Sequence, residues 1–267
     1  MSKVAIFISS CDVYQDCWRP MIYSLDKYWP DCEYQRYIVT NYKEEKLPNT
    51  TFLKVGDDHR AWCNLVRMGL EMIDVDYILF FQEDYWLNKK VNNNAIKSHI
   101  KYCDDYEIDY LKIDRDMPRD KYQIGKSDYC DNPPDIRYSI NTAIAIWRKE
   151  TMIRLMIKDW DGWKYERNII PYIKENNITI KSQRLLSTLV STKGISTIAG
   201  NAIVRGVWNY SAVDFLREND LEEIISKRAI MGPITNWLYQ HGPSSQSVWR
   251  YPFWGVLHIL KKYQLNW

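Results

Sequence analysis

The sequence predicts an α/β protein whose mostly parallel sheet is flanked by helices, and three observations carry that expectation. Short apolar runs of buried-strand composition recur, among them "KVAIFIS" (3–9), "YQRYIVTN" (34–41) and "YILFF" (77–81). Segments with helical spacing and helix stop signals stand between them. Their order, β-α-β-β-α-β, is the rhythm of parallel strands joined by helical crossovers. Ligands in such sheets collect beyond the carboxyl ends of the strands. Segments 9–14, 57–67 and 82–86 are therefore expected to meet.

The elements follow in order. After the strand at 3–9, "DCWRPMIYSLDKYW" (16–29) reads as a helix that Asp16 caps and Pro30 stops. Strands at 34–41 and 52–56 come next, then a helix from Arg60 to Ile73 leading into the strand at 77–81. A helix around 93–103 precedes "YLKID" (110–114), a further strand. A long polar loop containing "DNPPD" (131–135) then fits an acceptor-side lid. "YSINTAIAIWR" (138–148) reads as a strand and "KETMIRLMIKDW" (149–160) as a helix, with helix and strand patterns over 178–206 closing the domain. The tail, "GPSSQSVWRYPFWGVLHILKKYQLNW" (242–267), opens as a linker and becomes aromatic, apolar and basic. As a helix it is either an amphipathic membrane-surface segment or a terminal helix packed on its own domain or on a second subunit.

Charge is nearly balanced, with 36 Lys and Arg against 34 Asp and Glu, which argues against a nucleic-acid partner. Twelve Trp and twenty Tyr supply apolar faces with hydrogen-bonding tips, suited to sugars and bases as well as to an aromatic core. The six cysteines lack zinc or CxxC spacing and fit reduced thiols in a cytosol. "MSKVAIFISSCDVY" reads as a first strand rather than an export signal, and no apolar run approaches a membrane span. A cytoplasmic location is expected, with the inner membrane face as the site if the acceptor is lipid-linked.

The chemistry-bearing stretch is "DVDYILFFQEDYWLNKK" (74–90), in which a buried-type strand runs straight into Gln82, Glu83 and Asp84. A carboxylate at a strand end is rigidly placed. One such oxygen with two phosphate oxygens is a common way of holding Mg²⁺ or Mn²⁺ on a diphosphate, where the ion acts as a Lewis acid on the leaving group. Asp84 is the best metal ligand and Glu83 a weaker one. Taken alone, the acidic pair reads first as a solvated turn, because acidic turns are common. GxGxxG, HExxH and GxSxG are absent, and "QIGKS" (123–127) lacks the upstream glycine of a phosphate loop.

"NLVRMGLEMIDVDYILFFQEDYW" resembles the nucleotide-sugar core of GT-A-type glycosyltransferases, where an "RNxGl" helix leads to an apolar strand ending in Asp-x-Asp. Gly69 then matches the helix glycine, Arg67 the usual Asn, and Gln82–Asp84 the acidic triplet. "SSCDVYQDCWRPMIYSLDKYWPDCEYQRYIVTN" (9–41), "AIWRKE" with "DGWKYERN" (145–168) and "VRGVWN" (204–209) resemble landmarks of the group that builds bacterial capsule and lipopolysaccharide.

The likeness spans about 3–210. It implies a GT-A-like (Rossmann-like) nucleotide-sugar-binding and catalytic domain over 1–210, with a C-terminal helical extension over 211–267. It further implies donor contacts from Ser9, Asp12, Arg67 and Gln82. "GDDHRAW" (56–62) offers Asp58 as a helix cap, with Arg60 and Trp62 near the nucleotide as further donor contacts. Gln82 can hydrogen-bond a ribose hydroxyl but anchors metal poorly. A metal-independent mechanism, with Arg205 neutralising the diphosphate, therefore stands beside the Mn²⁺ or Mg²⁺ one.

Glu166 is the expected general base for the acceptor hydroxyl, with Trp163 and Tyr165 stacking on the acceptor and Asp114 and Asp116 as alternate bases. The implied partners are a nucleotide-sugar donor and a glycan or lipid-linked glycan acceptor. A sugar nucleotidyltransferase and a non-catalytic carbohydrate-binding protein are the competing readings.

Overall fold

The computed structural model describes residues 2–56, 61–114, 128–132, 138–198, 201–233 and 235. The chain divides into two compact units, Met1–Thr197 and Ile198–Trp267.

The first unit is an α/β sheet layer. Its strands are β1 (Val4–Ser9), β2 (Gln35–Thr40), β3 (Thr50–Lys54), β4 (Tyr77–Gln82), β5 (Tyr110–Lys112), β6 (Tyr129–Asp131), β7 (Ala145–Arg148) and β8 (Ser182–Leu185). They line up in the order β3-β2-β1-β4-β7-β5-β8-β6. Strands β3, β2, β1 and β4 are mutually parallel. β7 pairs antiparallel with both β4 and β5, β8 runs parallel to β5, and β6 opposes β8. Six strands thus share one direction, so the expected mostly parallel sheet is present. Covered on both faces, β1 and β4 are buried along almost their whole length, which is why each reads as a continuous apolar run.

The helices of this unit are α1 (Gln15–Tyr28), α2 (Trp62–Glu71), α3 (Asn93–Asp105), α4 (Lys149–Leu155), α5 (Gly162–Glu175) and α6 (Ser187–Lys193). One core joins Phe7, Val39 and Phe80 of the sheet to Val66 and Leu70 of α2 and to Tyr165 and Ile169 of α5. Gly69 lets α2 approach closely: a Cβ there would lie 2.7 Å from Val39 Cγ2 and 3.1 Å from Phe7 Cζ. Alanine adds about 1 kcal/mol of helix propensity, but Val39 is stiff and β-branched and cannot swing aside. Gly69→Ala is accordingly expected to cost a net ~1–2 kcal/mol, seen as a lower urea midpoint at unchanged slope.

Several boundaries differ from the sequence reading. The expected strand over 138–148 starts only at Ala145; Tyr138 sits at φ 69°, which strand pairing does not permit. The expected helix over 149–160 ends at Leu155, and a separate helix, α5, begins after Asp161, whose side chain caps it by accepting from Lys164 N–H. Residues 129–131, read as loop, add the edge strand β6. Asp16 does not cap α1. A 3-10 turn over Asp12–Tyr14 leads into that helix, and Tyr14 holds the cap position without a side-chain bond.

The second unit contains the hairpin β9 (Ile203–Val204) and β10 (Val207–Trp208), then α7 (Tyr210–Glu218) and a 3-10 turn over Glu222–Lys227. Trp208 is fully buried, its indole N–H donating to Ile225 O, and Asn209 caps α7 by accepting from Ala212 N–H at 2.7 Å. The Trp208 bond ties the hairpin to the 3-10 turn, within the unit that begins at Ile198. The tail at 242–267 lies outside the described residues. Among the described residues no helix is long and apolar enough to cross a membrane.

Candidate active site

The sheet places its own crevice. From β1 the chain winds outward through β2 and β3, then crosses back to set β4 on the other side of β1. The carboxyl ends of β1 and β4 flank this reversal, the position where open α/β sheets take ligands. Ser9 and Gln82 are register partners there, and Glu83 N–H donates to Ser9 O at 3.2 Å.

Trp62, at the start of α2, roofs the end of β1. Its indole N–H donates to Ser9 Oγ at 2.7 Å, and its ring packs edge-on against Phe80 and tilted against Tyr165. The start of α2 is tied to the segment before α5: Cys63 N–H donates to Trp160 O, and Asn64 and Asp159 exchange two bonds of 3.0 Å. The first turn of α5 is thereby brought to the rim.

Glu166 follows directly on that turn. Its Oε1 accepts from Thr142 N–H at 3.1 Å and from the Thr142 hydroxyl at 2.6 Å. Gln82 Nε2 in turn donates to Thr142 Oγ1 at 2.5 Å and to Thr142 O at 3.1 Å. The end of β4 and the candidate base therefore belong to one hydrogen-bonded chain. Trp163, three residues before Glu166 and so its neighbour on the helix surface, is 72% exposed and presents an open indole face. The Tyr110 and Tyr165 phenols are fully buried, and burial, reinforced by nearby acidic groups, pushes both well above the usual tyrosine range. They remain neutral under the site.

Asp12 closes the rim between β1 and β2. Its carboxylate accepts from the backbone N–H groups of Asn41, Tyr42 and Lys43 at 3.1–3.2 Å, while its own N–H donates to Asn41 Oδ1. Val13 and Tyr42, both exposed, flank this clasp.

Glu83 and Asp84 are both buried. The Glu83 carbonyl accepts from Trp86 Nε1, and the Glu83 carboxylate, added to burial, raises the Cys11 thiol. Among the described residues, no group of three or more His, Cys, Asp or Glu is placed to hold a metal ion.

The structure thus brings Ser9, Asp12, Gln82, Glu83, Trp163 and Glu166 to this rim. Several of the expected roles change. Ser9 is 1% exposed and its oxygen holds Trp62, so it is a strut and not an open donor contact. Tyr165 is 1% exposed, a core ring and not an acceptor platform. Arg67 lies on the exposed side of α2 and bonds Glu71 one turn nearer that helix's carboxyl end, away from the crevice.

Arg205 belongs to the second unit, at φ 54° in the turn between β9 and β10, with Gly206 at φ 86° beside it. Two consecutive positive φ values make a tight hairpin turn of the primed type. Asp114 is held by Ile144 N–H and Lys112. Arg60, Asp58 and Asp116 lie outside the described residues. Sequence reading missed Thr142 and Tyr42. For Tyr42 the signal was an aromatic directly after a strand; for Thr142 nothing local marks it.

No family model matches the chain and no curated protein does. Solved structures with a similar fold include TarS of S. aureus. For its 1–349 segment the TM-score is 0.48 at 13% identity, covering 94% of this chain and 77% of that one. For the longer TarS structure the values are 0.46 and 14%, covering 82% of this chain and 39% of that one. A cytidylyltransferase from Leptospira borgpetersenii gives 0.40 at 13%, covering 68% and 74%. The chain therefore matches well under half the length of the longer TarS chain.

Proposed function

We propose that this chain is a GT-A-like glycosyltransferase that moves a sugar from a nucleoside-diphosphate donor to a hydroxyl of a glycan, free or lipid-linked, in bacterial surface polysaccharide assembly. The observation that carries the proposal is the linkage of Glu166, through Thr142, to the end of β4 at the sheet's reversal point. It sets a rigid carboxylate beside the place where a donor would lie. The surface-polysaccharide role is supported by the sequence landmarks at 9–41, 145–168 and 204–209.

On this reading the nucleotide lies along the rim between β1 and β2, where Tyr42 offers a face for the base. The acceptor sugar rests on Trp163. Glu166 takes the proton of the acceptor hydroxyl as its oxygen bonds to the anomeric carbon. The bond from that carbon to the phosphate oxygen breaks, and its electrons leave with the nucleoside diphosphate. A single displacement of this kind inverts the anomeric centre. Asp84, with Glu83, would hold a divalent cation, which supplies Lewis-acid stabilisation of the leaving diphosphate when bound.

The test is a thermal-shift panel of UDP-, GDP-, CDP- and dTDP-sugars and the parent diphosphates, with and without Mn²⁺. A ligand at about 100 times its Kd stabilises by ~2.7 kcal/mol, or about 5–10 °C for a protein of this size. One diphosphate series is expected to give that shift. A response confined to triphosphates would move the assignment to a nucleotidyltransferase, and no response to any nucleotide would end it.

A further inference from the structure

We infer that Thr142 is the positioning residue for Glu166, leaving Oε2 as the single oxygen that receives the acceptor's proton; the inference rests on the base assignment above. Thr142 is 5% exposed and gives both its N–H and its O–H to the same carboxylate atom, Oε1. A threonine hydroxyl has one proton, and that proton is used on Glu166. Its lone pairs remain to accept from Gln82, whose amide nitrogen can only donate. The direction of every bond in the chain is therefore fixed: Gln82 to Thr142, Thr142 to Glu166.

The arrangement also gives the amide at 82 a reason. Gln82 ends β4, in register with Ser9, and reaches the carbonyl as well as the hydroxyl of Thr142. A carboxylate at 82 would face that carbonyl with no proton to offer. It would also compete with Glu166 for the Thr142 hydroxyl. The residue that stands where the Asp-x-Asp pattern places its first acid serves here to anchor the base. Glu166 alone is a flexible side chain. Held by a buried threonine, itself held by a strand end, it presents one oxygen in one direction, and small misplacements of such a group are costly to turnover.

The experiment compares Thr142→Val, Thr142→Ser and Glu166→Gln in the full chain, using the nucleotide sugar that gives the thermal shift and following release of its diphosphate. Thr142→Val keeps the shape and the N–H but removes the hydroxyl. Its kcat is expected to fall about 10–100-fold with the donor KM within about twofold, because the nucleotide rim is untouched. Thr142→Ser restores the hydroxyl and should lie within about threefold of the parent protein. In the Glu166→Gln background Thr142→Val should cost nothing more, since there is no base left to aim. A Thr142→Val enzyme with unchanged kcat overturns the inference. So does a Thr142→Ser enzyme as poor as Thr142→Val, which would indicate a packing role. Release that persists undiminished in Glu166→Gln overturns the base assignment itself, a result distinguishable from either.

Discussion

Glu166→Gln is expected to lower turnover by about 10³-fold, within the range for loss of a general base, while the diphosphate thermal shift stays within about a degree of the parent value. The geometry makes this substitution unusually clean. Both bonds from Thr142 end on Oε1 and both are donations. A glutamine can satisfy them only by turning its carbonyl oxygen toward Thr142, which forces its NH₂ into the position of Oε2. The network survives, Gln82 keeps its partner, and the one atom that takes a proton becomes one that cannot. Glu166→Ala would instead leave the Thr142 hydroxyl without its acceptor at a half-buried site and mix a stability loss into the rate. Retention of more than a tenth of the parent activity in Glu166→Gln would transfer the role to another carboxylate. Of the two alternatives named from the sequence, Asp114 lies among the described residues, and it is already held by Ile144 N–H and Lys112.

What the sequence disclosed, and what it hid, follows from how locally each feature is encoded. β1 and β4 were legible because strands covered on both faces read as near-continuous apolar runs, as "VAIFI" and "YILFF" do. α5 was not recognised although its signals were present: Asp161 as cap, then Tyr165, Ile169 and Ile170 at helical spacing. Reading Tyr165 as part of a binding motif drew it away from the core face that this spacing assigns. Arg67 was misplaced in the same way. The buried residues of α2 are Cys63, Leu65, Val66, Gly69 and Leu70; Arg67 belongs to the opposite face, and matching a pattern overrode the helix's own phase. Glu166 could be named because a carboxylate among aromatics is a recognisable type. Thr142 could not, because its importance lies in two partners 60 and 24 residues distant in the chain, and no local pattern records such a meeting.

Asp12 separates a ligand contact from a structural one, and Asp12→Ala carries the second large expected effect. Named from the sequence as a donor contact, it is in the structure an acceptor for three successive backbone N–H groups, with a return bond from its own N–H to Asn41. Hydrogen bonds to a charged group contribute about 1.5–3 kcal/mol each when buried. Asp12 is only half-buried and its amide partners can regain water, so ~2 kcal/mol is expected for the set. By the scaling for a chain of this size that is a fall of about 4–8 °C in Tm. Asp12→Asn should lose about half as much. Its oxygen can replace Oδ1 beneath Asn41, Tyr42 and Lys43, but its NH₂ then meets Tyr42 N–H donor to donor, where Oδ2 had accepted at 3.2 Å. Because the clasp orders the loop that carries Tyr42, the nucleotide shift should shrink in proportion to the Tm loss in both variants. A ligand contact predicts otherwise: Asp12→Asn would keep its stability yet lose most of the nucleotide response. Measuring Tm with and without the diphosphate in the two variants decides between these outcomes, and an Asp12→Ala protein as stable as its parent would show that the three amides do not depend on the carboxylate.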